Sequence, residues 1–197
     1  MTRKTIRDIR SEELIDAAIL AVHERGYSVV TMTEIAKRAG TSAASINYYF
    51  GSKERLMEAT MRRLLDILKQ ALLRRLGDTS TPHDRLMAIC DANFDDTLFT
   101  VEQTSVWIQF WSHAPYSSRL SRLHQINRSR VRSHFRAELR QLLPEKTRET
   151  VRSALQAYMD GVWLEAAQTD AVQLSPPDAR RGARDVAALL LADQSEE

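Results

Sequence analysis

Cysteine is all but missing from this chain. Cys90 stands alone among 197 residues, so no disulfide can close within the chain and a reducing compartment is its simplest home. Six glycines and five prolines are too few for a collagen-like or low-complexity chain, and their scarcity points to helices. No alternating apolar and polar run bounded by hairpin turns occurs, and nowhere do eighteen apolar residues follow one another. The basic start "MTRKTIRDIR" has no apolar stretch behind it, so neither a secretory leader nor a membrane span is expected, and the protein reads as soluble and cytoplasmic. Chemistry-bearing motifs are missing as well. The five histidines have no HExxH or CxxC companion, no glycine-rich phosphate loop exists, and Cys90 would need a histidine beside it to act as a nucleophile. No enzyme, no metal and no cofactor is expected.

A large charge imbalance is also lacking, since the formal net charge is only +2. Its distribution carries more information. Residues 1–63 hold 11 Lys+Arg against 8 Asp+Glu, and Arg3, Lys4, Arg7 and Arg10 form a basic arm ahead of the first helical run. Two readings of that arm stand open: contact with phosphates, or a solvated terminus.

What is present is helical periodicity. Leu14, Ile15, Ala18, Ile19 and Val22 define an amphipathic helix from about residue 10 to 25, stopped by Gly26. Thr31 with Glu34 three residues later has the form of a capping box opening a helix of barely two turns, which Gly40 ends. After "GTS" another short helix runs to Phe50. Gly51 breaks it, and Ser52 caps a long helix that starts at Lys53 and carries Leu56, Met57, Met61, Leu64, Leu65, Leu68, Leu72 and Leu76 before "GDTSTP". Five further helical segments are expected over 83–99, 101–113, 117–143, 145–169 and 178–192, divided by "HAPYS", Pro144 and "SPP". Leu155, Val162, Leu164, Ala166, Val186, Leu189 and Leu190 give the last two an apolar face suited to a four-helix bundle between two copies.

The stretch "AGTSAASINYYFGSKE", residues 39–54, carries hydroxyls, an amide and three consecutive aromatics. Two short helices joined by a tight glycine turn form a helix-turn-helix, whose second helix enters the DNA major groove. Ile46 and Phe50 supply the apolar side that seats such a helix. Thr41, Ser42, Ser45, Asn47, Tyr48 and Tyr49 supply a side able to meet phosphates and base edges, and Lys53 adds charge at a helix N-terminus. At about 100° per residue Tyr48, Tyr49 and Phe50 cannot share one buried face, so one or two of them must be exposed.

On these residues the chain resembles the TetR family of bacterial repressors, through the whole pattern "TMTEIAKRAGTSAASINYYFGSKERL" after a helix ending in Gly26. Where that family's third helix usually ends in Tyr, an aromatic, His and Phe, this chain has Asn47, Tyr48, Tyr49 and Phe50. The resemblance implies an all-α fold. A TetR-type DNA-binding domain would span residues 8–68 with the motif at 31–50, followed by a C-terminal ligand-binding and dimerisation domain over 69–197. It also implies a homodimer on a near-palindromic double-stranded operator, contacted through Thr31, Thr33, Thr41, Ser42, Ala43, Ser45, Asn47, Tyr48, Tyr49 and Lys53.

In the second half, Trp107, Phe110 and Trp111 lie at i, i+3 and i+4, Asp160 and Trp163 at i and i+3 with Tyr158 beside them, and Asp91 and Asp95 at i and i+4. Aromatic faces hold quaternary ammonium ions at about 0.5–2 kcal/mol each, and a millimolar ligand needs only about 4 kcal/mol in all. The same aromatics also suit a core or a dimer interface, and Asp160 also suits a hydrogen bond to a neighbouring helix or an exposed position. The dense series Arg119, Arg122, Arg128, Arg130, Arg132, Arg136 and Arg140 wraps around its helix, which favours a solvated, ion-paired surface over a second DNA contact. The pieces "NFDDT", "WIQFWSHA", "RLHQINRSR", "HFRAEL" and "DGVWLEAA" resemble the choline-responsive branch of the family, the repressors of glycine betaine synthesis. That resemblance implies release from the operator by choline or betaine aldehyde. A repressor of an efflux operon answering a different cationic or amphipathic compound is the alternative.

Overall fold

The computed structural model describes residues 5–168 and 174–192. Arg3 and Lys4 of the basic arm, the expected helix end at Thr169 and the polar end at 193–197 lie outside the described residues. Among those described, every regular element is helical: α1 (Ile6–Arg25), α2 (Met32–Arg38), α3 (Ala43–Phe50), α4 (Lys53–Leu76), α5 (Pro82–Asn93), α6 (Val101–His113), a 3-10 turn (Ala114–Tyr116), α7 (Ser118–Leu142), α8 (Glu145–Gln168) and α9 (Pro176–Ala192).

Local chemistry sets most of these bounds. α1 starts earlier than its apolar pattern because Thr5 and Asp8 form a capping box. At α2 the Thr31 hydroxyl accepts from the Glu34 N–H at 3.2 Å while the Glu34 carboxylate accepts from the Thr31 N–H at 2.8 Å, the reciprocal pair expected from the sequence. Ser42 and Ser52 cap α3 and α4 in the same way, without the return bond. The chain turns between α3 and α4 at Gly51, whose φ of +79° strains any residue with a β-carbon.

The segment expected as one helix over 83–99 is divided. α5 stops at Asn93, and the Asp95 carboxylate then accepts from both the N–H and the hydroxyl of Thr97, at 3.1 and 2.7 Å. An Asp side chain bonding backbone two residues on offers the chain an alternative to the helix, and neither glycine nor proline is needed to end it.

One continuous apolar core runs from Leu14 to Ala187. α4 passes through both ends of it, unbroken across residue 68, burying Leu56, Met57, Met61, Leu64, Leu65 and Leu68 and packing on α1 and α3 as well as on α5 and α7. α1 packs not only on α2 and α4 but also on α6. At the far end α9 lies on α5 and α8, and Gly182 makes room there: a β-carbon at this position would collide with the Tyr158 hydroxyl. Of the apolar face expected to join two copies, Leu155, Val162 and Ala166 are buried within the chain itself, Val186 and Leu190 are half-buried, and Leu164 and Leu189 are exposed, at 45% and 71%.

Candidate nucleic-acid interface and aromatic cavity

The α2–α3 turn is closed by backbone. Gly40, with φ +62°, reverses the chain so that the Thr41 N–H donates to the Ala36 carbonyl at 2.9 Å. Ile46 is fully buried and anchors α3, and Phe50 packs half-buried against the core. The opposite side faces out. Ser42, Asn47 and Tyr48 are exposed, Tyr48 at 75%, with Thr41, Ala43, Ser45 and Tyr49 half-exposed along the same helix. Tyr48 and Tyr49 meet edge to face at 5.2 Å, so Tyr49 is fixed from one side by its neighbour. Thr31 and Thr33 are exposed at the N-terminal turn of α2, although the Thr31 hydroxyl is engaged with Glu34. Lys53 is half-buried: its ammonium donates to the Tyr27 carbonyl at 3.1 Å and lies 5.8 Å from that ring. Burial, outweighing the attraction of Glu54 and Glu34, holds the Lys53 pKa below its ordinary value. An ammonium has three donors, so the bond to Tyr27 leaves two for a phosphate.

The second site lies between α6, α7 and α8. The Trp107 and Trp163 rings are 5.2 Å apart, and Phe99 meets Trp163 edge-on at 5.3 Å. Trp111 and Asp160 line the same cavity, joined by Leu68, Asn93, His124, Asn127, Arg128, Val131 and Gln156. Its volume is about 20 Å³, room for one water or so. The Asp160 carboxylate accepts from Arg128 Nη1 at 3.1 Å and from Gln156 Nε2 at 2.9 Å. Two buried nitrogens, Trp111 Nε1 and His124 Nδ1, have no partner among the described residues. Their rings meet at 6.0 Å. Burial, reinforced by the Arg128 charge and opposed by Asp160, lowers the His124 pKa from 6.5.

Four residues grouped with this site by their spacing in the sequence lie elsewhere. Asp91 and Asp95 do not stack on one helix, because α5 ends between them. Asp91 is paired with Arg184 and lies 3.7 Å from Arg75, while Asp95 accepts from Arg75 at 3.0 Å and Arg74 at 3.2 Å. Burial opposes ionisation of Asp95, but bonds from Thr97 and Arg75 outweigh it and lower its pKa. Phe110 turns away from the two tryptophans to meet Tyr27 edge-on at 5.7 Å, and Tyr158 faces α9 at Gly182. The geometry of α6 explains the split: relative to Trp107, Phe110 lies about 60° to one side and Trp111 about 40° to the other. Cys90, beside Asp91, is buried, and burial pushes its thiol up to about 12. A thiol so protonated is no nucleophile.

The face of α6 that bears Phe110 holds the reading head. Gln109 accepts from the Tyr27 N–H at 2.6 Å and donates to the Val22 carbonyl at 3.2 Å, and His113 Nε2 lies 2.8 Å from the Ser28 hydroxyl. Tyr27 is therefore gripped by α6 through its N–H and by Lys53 through its carbonyl. Neither this link nor Arg128, His124, Asn127 and Gln156 in the cavity carries a local signal, since each depends on a contact between distant segments.

Comparison with known proteins agrees with this architecture. Residues 14–60 match the family described as "Bacterial regulatory proteins, tetR family", and residues 82–192 match "BetI-type transcriptional repressor, C-terminal". The chain belongs to the TetR family. Within it, the chain is 37% identical over 168 residues to the HTH-type transcriptional regulator BetI of Burkholderia ambifaria (strain MC40-6), covering 85% of this chain and 87% of that protein. The BetI of Burkholderia mallei (strain NCTC 10229) is 36% identical over 85% and 86% of the two chains. Among solved structures, a TetR regulator from Haloarcula marismortui superposes with a TM-score of 0.79 at 23% identity, covering 94% of this chain and 98% of that one. A transcriptional regulator from Saccharomonospora viridis, solved in complex with choline, superposes at 0.75 with 21% identity, covering 89% and 93%. The matches to the TetR family, to the BetI-type C-terminal family and to the BetI relatives make this chain a transcriptional repressor and not an enzyme.

Proposed function

We propose that this TetR-family repressor controls genes of choline-to-glycine betaine metabolism and leaves its operator when choline, or a related cation such as betaine aldehyde, enters the cavity between α6 and α8. The observation that carries the reading is the convergence of Trp107, Trp111, Trp163 and the Asp160 carboxylate on one cavity, with the Arg128 guanidinium on the carboxylate. Aromatic faces and one carboxylate are the chemistry that holds a quaternary ammonium. Arg128 stands where the ligand's charge would go, so the cation competes with it and the cavity must widen from about 20 Å³. The choline bound to the Saccharomonospora viridis regulator supports the same ligand class.

Widening moves α6, whose other face holds Tyr27, and strains α4 through Leu68. Two reading heads on a near-palindromic operator must stay about 34 Å apart or at a multiple of that distance, so a tilt of α4 costs DNA affinity. In this reading residues 8–68 read DNA in the cytoplasm and 69–197 bind ligand and dimerise through α8 and α9. Tyr49 and Lys53 hold the backbone, Thr31 and Thr33 flank it, and Ser42, Ala43, Ser45 and Asn47 approach bases, with Thr41 and Tyr48 at the edges. The deciding experiment is calorimetric titration with choline, betaine aldehyde and betaine, with and without operator DNA. Binding of at least one of them, weakened by operator, is expected. Failure of all three to bind a protein that still holds its operator ends the reading.

A further inference from the structure

A larger cavity, of about 350 Å³, lies between α4, α5 and α7. Leu65, Leu68, Leu72, Leu76, Ile89 and Val131 give it an apolar lining. Its opening is basic: Lys69 of α4 and Arg130 and His134 of α7, one helical turn apart, are all exposed there, and no described residue lining the cavity is acidic. Lys69 and Arg130 form no ion pair with any described residue, whereas Arg119, Arg128 and Arg136 of the same α7 series do. The aromatic cavity beside it, across Leu68, Asn93, Asn127 and Val131, differs in that its cation, Arg128, is neutralised by a carboxylate, Asp160.

Small-molecule sites are concave, mostly apolar and about 300–1,000 Å³, with a few polar groups that fix orientation. Here those groups are cations at one end of a leucine-lined space. We propose that this cavity binds an anionic amphiphile, a medium-chain carboxylate whose tail lies along the leucines of α4 and whose head faces Lys69 and Arg130. A cationic head would meet two unneutralised positive charges, and a neutral one would gain nothing from them. The site is separate from the cavity assigned above to a quaternary ammonium and does not depend on that assignment.

The test is calorimetric titration of the full chain with octanoate, decanoate and decanol, each below its micellar range and with no choline present. Affinity is expected to rise about fourfold per added methylene. Decanoate should bind more tightly than decanol, and Lys69→Gln and Arg130→Gln should each weaken decanoate roughly threefold while leaving decanol unchanged. Leu72→Trp, which fills the space, should abolish decanoate binding. Decanol binding as tightly as decanoate, or decanoate indifferent to the Lys69→Gln, Arg130→Gln double variant, overturns the proposal. So does decanoate binding retained in a Leu72→Trp protein that melts like the parent; if that variant does not fold, the two surface variants decide.

Discussion

Asp160 already has a cation, Arg128, and in the induction proposed above the ligand must replace it. Truncating Arg128 to Ala removes the competitor, so choline should bind several-fold more tightly than to the parent chain in calorimetry. Asp160→Asn should instead cost about tenfold, or ~1.4 kcal/mol, while the operator is still held, because the carboxylate charge matters only when a cation arrives. Trp107 and Trp163 are almost fully buried, and truncation to Ala would cost about 3–5 kcal/mol of stability. Trp107→Phe is the usable probe: it should fold and lose part of the quenching of tryptophan fluorescence by choline. His124 adds a pH dependence. Burial, reinforced by Arg128, depresses its pKa in the folded state below 6.5, so the unfolded chain takes up the proton first and stability falls as pH drops below about 6.5. His124→Gln should flatten that fall in thermal melts. In the head, Lys53→Ala should weaken every DNA sequence alike and lower the salt slope by about one phosphate per subunit, whereas changing Asn47 should alter the preference between bases. If both merely scale affinity in binding assays, the division of roles is wrong.

At the scale of elements, α6 is the piece with two faces. One bears Trp107 and Trp111 toward the cavity; the other bears Gln109, Phe110 and His113 toward the turn after α1. α4 links the same two regions along its own length, from the Lys53 bond to Tyr27 up to Leu68. A ligand changes DNA affinity only through elements whose position both sites bias. Gln109→Ala removes the acceptor of the Tyr27 N–H and should cost about 1–3 kcal/mol of stability. Its distinguishing effect is on coupling: choline and operator should each still bind, but the factor by which one weakens the other should fall toward one. An unchanged factor would leave α4 as the whole route.

For the molecule as a whole, operator and inducer must be linked reciprocally. A coupling of about 1–3 kcal/mol corresponds to a 5- to 150-fold loss of DNA affinity, and operator DNA must weaken binding of the inducer, proposed above to be choline or a related cation, by the same factor. Unequal factors would mean that the two ligands do not share one pair of states. The whole molecule is also expected to be a dimer. Leu164 and Leu189 are, among the described residues, the large apolar side chains of α8 and α9 left exposed, and sedimentation velocity at micromolar concentration should give a dimer that Leu189→Glu disrupts. A monomeric parent chain would refute the interface.

The sequence by itself determined the elements of local origin. The capping box at Thr31, the serine cap at Ser52 and the glycine turns at Gly40 and Gly51 act within a few residues of themselves, so the helix-turn-helix was legible before any folding was considered. The Thr5 box and the Ser42 cap are as local, yet the apolar pattern alone starts the first helix only at about residue 10. Spacing also placed Trp107 with Trp111, and Asp160 with Trp163, on single helix faces. It could not say what those faces meet. Only the tertiary structure sent Asp91 to Arg184 and Asp95 to Arg75, turned Phe110 to Tyr27 and Tyr158 to α9, and set Arg128 on Asp160. A helix repeat fixes direction about one axis, whereas a site needs several axes brought together, and that is decided by which apolar faces bury one another across the chain.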